Sequence, residues 1–178
     1  MQAVLLVGFM GSGKTSVGLA LARLLGWRFQ DLDDYIQQRE GRTIAQIFSE
    51  SGEAEFRSME RTAVRDLVMH IDEHSPTVLA LGGGAFVQTE VATILKDTTC
   101  PVVFLDAPVE ELWRRCEEAV VRPMKRDPQQ FRMLHESRRP HYMQATVRIE
   151  TQGKRVQDIA AEIAAKLALP LQDSEKEK

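Results

Sequence analysis

The segment Gly8-Phe9-Met10-Gly11-Ser12-Gly13-Lys14-Thr15 limits this chain more than any other, because it demands a strand before it and a helix after it. Both are present. Ala3-Val4-Leu5-Leu6-Val7 is a short apolar run, and Val17, Leu21, Leu24 and Leu25 share one side of a helix over 14–25, with Gly26 as its stop signal. Glycines let the backbone wrap a phosphate, so that N–H groups and the helix N-terminus face the anion. Lys14 is placed to reach the β- and γ-phosphates, and Thr15 to offer its hydroxyl to Mg2+. Gly11, Ser12, Gly13 and Ser16 complete the expected nucleotide contacts. A chance glycine-rich turn is the weaker reading in this context. The chain is expected to bind a nucleoside triphosphate.

The rest of the chain alternates between strand and helix patterns. Strands are predicted near 27–30, 77–81, 101–105 and 146–150. Helices are predicted near 33–40, 43–50, 53–72, 88–96, 108–119, 128–143 and 154–168. Five strands alternating with helices imply an α/β sandwich around a parallel sheet. Periodicity does not determine the strand order. One domain over 1–169 is expected, followed by a frayed charged tail at 170–178.

Composition excludes several classes. A net charge of −3 argues against broad binding to nucleic acid or an anionic membrane. No apolar run approaches the roughly 18 residues of a membrane span. The N-terminus lacks a basic region before its apolar stretch and runs into the phosphate loop, so it does not read as a signal peptide. Cys100 and Cys116 have neither metal nor disulfide spacing and read as small buried thiols. A cytoplasmic monomer is the expectation.

A second group of residues suggests an acceptor site. Ligands of open α/β sheets collect at the carboxyl ends of the strands. Asp31 and Asp33 leave the short second strand there, one suited to the metal and the other to a hydroxyl, although two N-capping acids is an equal reading. Arg57 and Glu60 lie three apart on one helix face, a spacing that also suits a surface ion pair. Gly82-Gly83-Gly84 ends a buried strand, marking either a tight turn or the close approach of a ligand. Asp106 ends "VVFLD" as a metal-binding acid would, but "DAPVE" also reads as a helix entry. A capping role is favoured.

Together the stretches "GFMGSGKTSVG", "DLDDYI", "GRTIAQIFSESGEAEFRSME", "LALGGGA", "VVFLDAPVEEL", "VRP" and "SRRPHY" resemble the shikimate kinase family in order and spacing over about 3–150. The resemblance implies a five-stranded parallel sheet of order 2-3-1-4-5 flanked by helices. It implies transfer of the ATP γ-phosphate to the 3-hydroxyl of shikimate, with Mg2+. By the same resemblance Asp33 contacts the acceptor hydroxyls and Asp31 helps hold the metal. Arg57 grips the acceptor carboxylate with Glu60 steadying it, and Arg138 is the second carboxylate-binding arginine. Gly82, Gly83 and Gly84 line the acceptor ring, Arg122 closes over the phosphates from a lid at 112–125, and Arg115 packs against adenine. The acceptor-binding region is expected at about 32–60.

Some departures remain. Met124-Lys125 follows Arg122-Pro123 where the family has two apolar residues, and Arg138 and Arg139 are adjacent, so register decides which faces the site. Four histidines, His70, His74, His135 and His141, match nothing catalytic and read as surface or packing residues. Two rivals share the phosphate loop: a kinase for gluconate or a nucleoside monophosphate, and a catalytically dead nucleotide-binding regulator.

Overall fold

The computed structural model describes residues 3–71, 75–118 and 127–172. Five strands form one parallel sheet: β1 (Ala3–Val7), β2 (Arg28–Asp31), β3 (Thr77–Ala80), β4 (Val102–Asp106) and β5 (Val147–Glu150). Their order is β2-β3-β1-β4-β5, as the family resemblance implies. In register, Leu5 pairs with Leu79 and Val102, and Leu105 with Ile149.

Alternate strand residues point to opposite faces, and each face carries its own core. Val4, Leu6, Val78, Val103, Leu105 and Ile149 pack beneath helices α1 (Lys14–Leu25) and α7 (Val156–Lys166). Leu5, Val7, Leu79 and Phe104 face the other way, toward α2 (Leu32–Glu40), α3 (Ile44–Met69), α4 (Thr89–Lys96), α5 (Val109–Glu118) and α6 (Pro128–Tyr142). Burial on both faces explains why β1 and β4 read as continuous apolar runs rather than alternating ones.

Helix ends follow their sequence signals. Gly26 closes α1 in the left-handed conformation. Thr43 and Gln46 form a reciprocal capping box at the start of α3. The helices expected at 43–50 and 53–72 form one element, bent at Gly52, whose φ of 78° interrupts the helical backbone.

Asp106 differs from expectation. It is the last residue of β4, whereas α5 begins three residues later at Val109. Its buried carboxylate accepts from Arg139 Nη2 at 2.9 Å and Arg148 Nε at 2.8 Å. Two arginines compensate a carboxylate removed from water, so Asp106 acts in an ion-pair cluster rather than as a cap. Cys100 and Cys116 are half-buried rather than fully enclosed.

Candidate active site

A cleft of about 810 Å³ opens at the carboxyl ends of the strands. Its floor at one end is the phosphate loop. Gly13 sits at the N-terminus of α1 with φ 89°, a left-handed conformation that a side chain would strain. Lys14 folds back over the loop, its Nζ donating to the Gly8 carbonyl at 2.9 Å and the Phe9 carbonyl at 3.1 Å. The ammonium is thereby held at the mouth of an anion-binding turn. Gly11, Ser12, Thr15 and Ser16 also line the cleft. The Ser12 hydroxyl is buried beneath the loop without a hydrogen-bond partner among the described residues.

Thr15 Oγ1 donates to Asp31 Oδ2 at 2.9 Å, while Asp31 Oδ1 accepts from the Asp33 backbone N–H at 3.0 Å. Asp31 therefore caps α2 and meets the phosphate-loop hydroxyl at once. Capping and metal-site readings are compatible for this residue, because they use different oxygens. No cluster of three or more His, Cys, Asp or Glu side chains is placed to hold a metal ion among the described residues. A hydroxyl and one carboxylate beside a phosphate site instead suit Mg2+, which keeps waters and takes substrate phosphates as ligands. The residues present fit that ion.

The end of the cleft away from the phosphate loop is built from α2, α3, α6 and the three glycines. Glu60 is only 1% exposed and accepts from Arg57 Nη1 at 2.8 Å, so the pair is not a surface ion pair. Gln88, at the entry to α4, donates a second bond to Glu60 Oε2 at 2.6 Å and accepts from Arg61 at 2.9 Å. Burial pushes the Glu60 carboxyl above its usual range despite the opposing Arg57 bond, and the Asp33 charge adds to the rise. For Arg57, burial opposes the charge, but bonds to Glu60 and then Glu53 leave its pKa raised. The guanidinium stays charged.

All three glycines line the cleft, and the bare backbone of two of them has a further use. None of the three lies in the left-handed region. A Cβ on Gly82 would stand 2.9 Å from Glu60 Oε1 and 3.0 Å from Asp33 Oδ1. One on Gly84 would stand 2.7 Å from both Cζ and Nη2 of Arg57. On Gly83 it would meet neighbours only at ordinary contact distance, the nearest at 3.6 Å. The bare backbone at Gly82 and Gly84 thus makes room for the protein's own charged side chains.

Arg138 enters the cleft and donates to the Gly83 carbonyl at 3.3 Å, whereas Arg139 turns away to Asp106. Within "DLDD", Asp33 lines the cleft and Asp34 is exposed. Arg115 lines the cleft beside the phosphate loop, bonded to Glu111 at 2.9 Å, to the Thr151 hydroxyl at 3.2 Å and to the Gly11 carbonyl at 3.5 Å. Arg122 lies outside the described residues. Of the segment expected as a lid, 112–118 belongs to α5, and the remainder lies outside them too.

The sequence assigned no role to Gln88, to Tyr142 or to the pair Phe48 and Phe56, although all but Gln88 lie within the stretches that carry the family resemblance. Gln88 steadies Glu60, the Tyr142 hydroxyl donates to the Gly83 carbonyl, and Phe48 and Phe56 form an apolar wall with ring centroids 4.6 Å apart. The aromatic pair was accessible from its position on the helix that carries Arg57.

A phosphate loop on a 2-3-1-4-5 sheet, facing a carboxylate pair and two arginines across one cleft, defines a P-loop phosphotransferase for a small anionic acceptor. The shikimate kinase family model matches residues 10–168. A curated shikimate kinase from Geobacter metallireducens is 40% identical, covering 92% of this chain and 90% of that protein. One from Persephonella marina is 37% identical over 94% and 99%, respectively. The solved shikimate kinase from Acinetobacter baumannii in complex with shikimate superposes with a TM-score of 0.85 at 36% identity, covering 97% of this chain and 96% of that one. This chain belongs to the shikimate kinase family and is an ATP-dependent phosphotransferase acting on a hydroxyl group.

Proposed function

We propose that the chain transfers the γ-phosphate of ATP to the 3-hydroxyl of shikimate, with the site residues divided along the cleft. The observation that carries this is the shared cavity: the phosphate loop and the Arg57–Glu60–Arg138 group line one space. ATP phosphates lie in the loop over Gly11, Ser12, Gly13, Lys14, Thr15 and Ser16, with Arg115 beside adenine. Thr15 and Asp31 hold Mg2+, which when bound neutralises charge on the phosphates. Arg57 and Arg138 take the acceptor carboxylate, Arg57 through the fork geometry that suits a carboxylate.

Phosphoryl transfer asks mainly for alignment and charge stabilisation. Asp33 Oδ1 lies beside the Gly82 backbone, where it orients the acceptor hydroxyl and accepts its proton as the oxygen attacks phosphorus. The P–O bond to ADP breaks as the new one forms. Lys14 and Arg122 balance charge on the transferred group. A lid at 112–125 keeps water away from the γ-phosphate. The protein works as a cytoplasmic monomer formed by one domain over 1–169. No helix among the described residues is long and apolar enough to cross a membrane.

The test is ADP release measured with Mg2+ and ATP, with and without shikimate. Release that depends on shikimate supports the assignment. Turnover with gluconate or a nucleoside monophosphate and none with shikimate refutes it, and binding of ATP without turnover on any acceptor indicates a regulator.

A further inference from the structure

The Gly83 carbonyl receives two donors from α6, the Tyr142 hydroxyl and Arg138 Nη1. Tyr142 is 1% exposed, and its ring stacks on Phe104 of β4 at 5.3 Å between centroids with 27° between planes. The phenol is therefore fixed to the sheet on one side and to the glycine turn on the other. Burial pushes its pKa up to about 12, so the hydroxyl remains a donor throughout the neutral range. A side chain that only filled core volume would need no hydroxyl, and this one ends on the backbone turn facing the acceptor end of the cleft.

We propose that Tyr142 is a positioning residue for the acceptor: by sharing the Gly83 carbonyl, its hydroxyl limits Arg138 to one bond of 3.3 Å there and leaves the rest of the guanidinium to the acceptor carboxylate. This rests on the reading of Arg138 as an acceptor-binding arginine. Guanidinium has five N–H donors in a fixed fork, and a carboxylate needs two of them aligned. Without the phenol, Arg138 is the remaining side-chain donor for that carbonyl. Already 3.3 Å from that oxygen, it closes further on the backbone, and the acceptor must compete for it. The glycine peptide, lacking side chains to brace it, also loses its link to the sheet.

The test is Tyr142→Phe, which keeps the ring stack and removes only the oxygen. The shikimate KM rises about 3- to 10-fold, the size of one ordinary hydrogen bond, while the ATP KM and kcat hold. In an Arg138→Ala background, Tyr142→Phe adds no further rise. An unchanged shikimate KM, equal changes in both KM values, or a lowered Tm with reduced kcat alone assigns Tyr142 a packing role and overturns the proposal. The two readings fail separately. If Arg138→Ala leaves the shikimate KM unchanged, the assignment of Arg138 has failed. If Arg138→Ala raises it and Tyr142→Phe does not, only the role of Tyr142 has failed.

Discussion

The Arg57 guanidinium rests against the bare backbone of Gly84, within 2.7 Å of where a Cβ would stand. A methyl group there would push aside the end of a long side chain, which can move without breaking the sheet. Gly84→Ala is therefore expected to fold, displace Arg57 and raise the shikimate KM at least about 10-fold, the scale of a charge-assisted carboxylate contact. Gly83→Ala, whose methyl would find only ordinary contacts, is expected to stay near wild type. Steady-state kinetics on both variants checks the ranking. If Gly83→Ala is the more damaging of the two, the glycines serve the acceptor ring directly.

Arg57→Ala is expected to weaken both binding and folding. Acceptor affinity falls about 10- to 150-fold, as for loss of a bidentate carboxylate contact. Stability falls because Glu60, 1% exposed, loses its cationic partner while keeping Gln88. Adding Glu60→Gln removes the stranded charge, so the double variant recovers Tm without recovering acceptor affinity. Thermal melts and acceptor titrations separate the two effects. Equal loss of Tm in the single and double variants contradicts the charge argument.

Local chemistry was legible from the sequence, and long-range contacts were not. The phosphate loop was readable because its work is done by consecutive backbone groups. The sheet's strand positions followed from apolar runs and punctuation, but their order came only from the family resemblance, since no period encodes which strand lies beside which. Asp106 was misread as a cap because its arginine partners lie 33 and 42 residues away. Gln88 reaches Glu60 across 28 residues, and Tyr142, though it ends "SRRPHY", reaches Gly83 across 59, so neither contact was encoded in a local pattern. The three glycines were visible, but the side chains occupying their space come from α2 and α3.

His135 supplies a pH dependence of folding. It is buried edge-on against Phe9, with ring centroids 5.3 Å apart, and burial depresses its pKa. Asp106 and the acids Glu136 and Glu110 oppose that shift, and Arg139 reinforces it. The unfolded chain thus binds the proton more readily than the native one. The stabilising contribution is complete above the unfolded value of about 6.5 and is lost as pH falls through the depressed native value. Between about pH 7.5 and 5.5, wild-type Tm is expected to drop more than that of His135→Gln. Parallel Tm curves for the two proteins contradict the assignment.

The paired carboxylates make the sharpest comparison. Asp33 lines the cleft with Oδ1 toward Gly82, whereas Asp31 joins the Thr15 hydroxyl at 2.9 Å and caps α2. Asp33→Asn keeps the size and one acceptor oxygen but removes the charge that polarises the hydroxyl. Its kcat is expected to fall by about 10²–10⁴, the usual worth of general-base assistance, with ATP affinity intact. Asp31→Asn behaves differently. Asparagine caps helices as well as aspartate, so Tm barely changes, but the half-saturating Mg2+ concentration rises. Asp31→Ala loses the cap as well and is expected to cost about 1 kcal/mol more in stability. Asp34, exposed at the next position, is expected to tolerate asparagine without loss. Rates for the three asparagine variants across a Mg2+ series decide the matter. A crippled Asp34→Asn beside a normal Asp33→Asn would move the catalytic assignment by one residue, and a loss of only a few-fold at both would remove the general base from the mechanism.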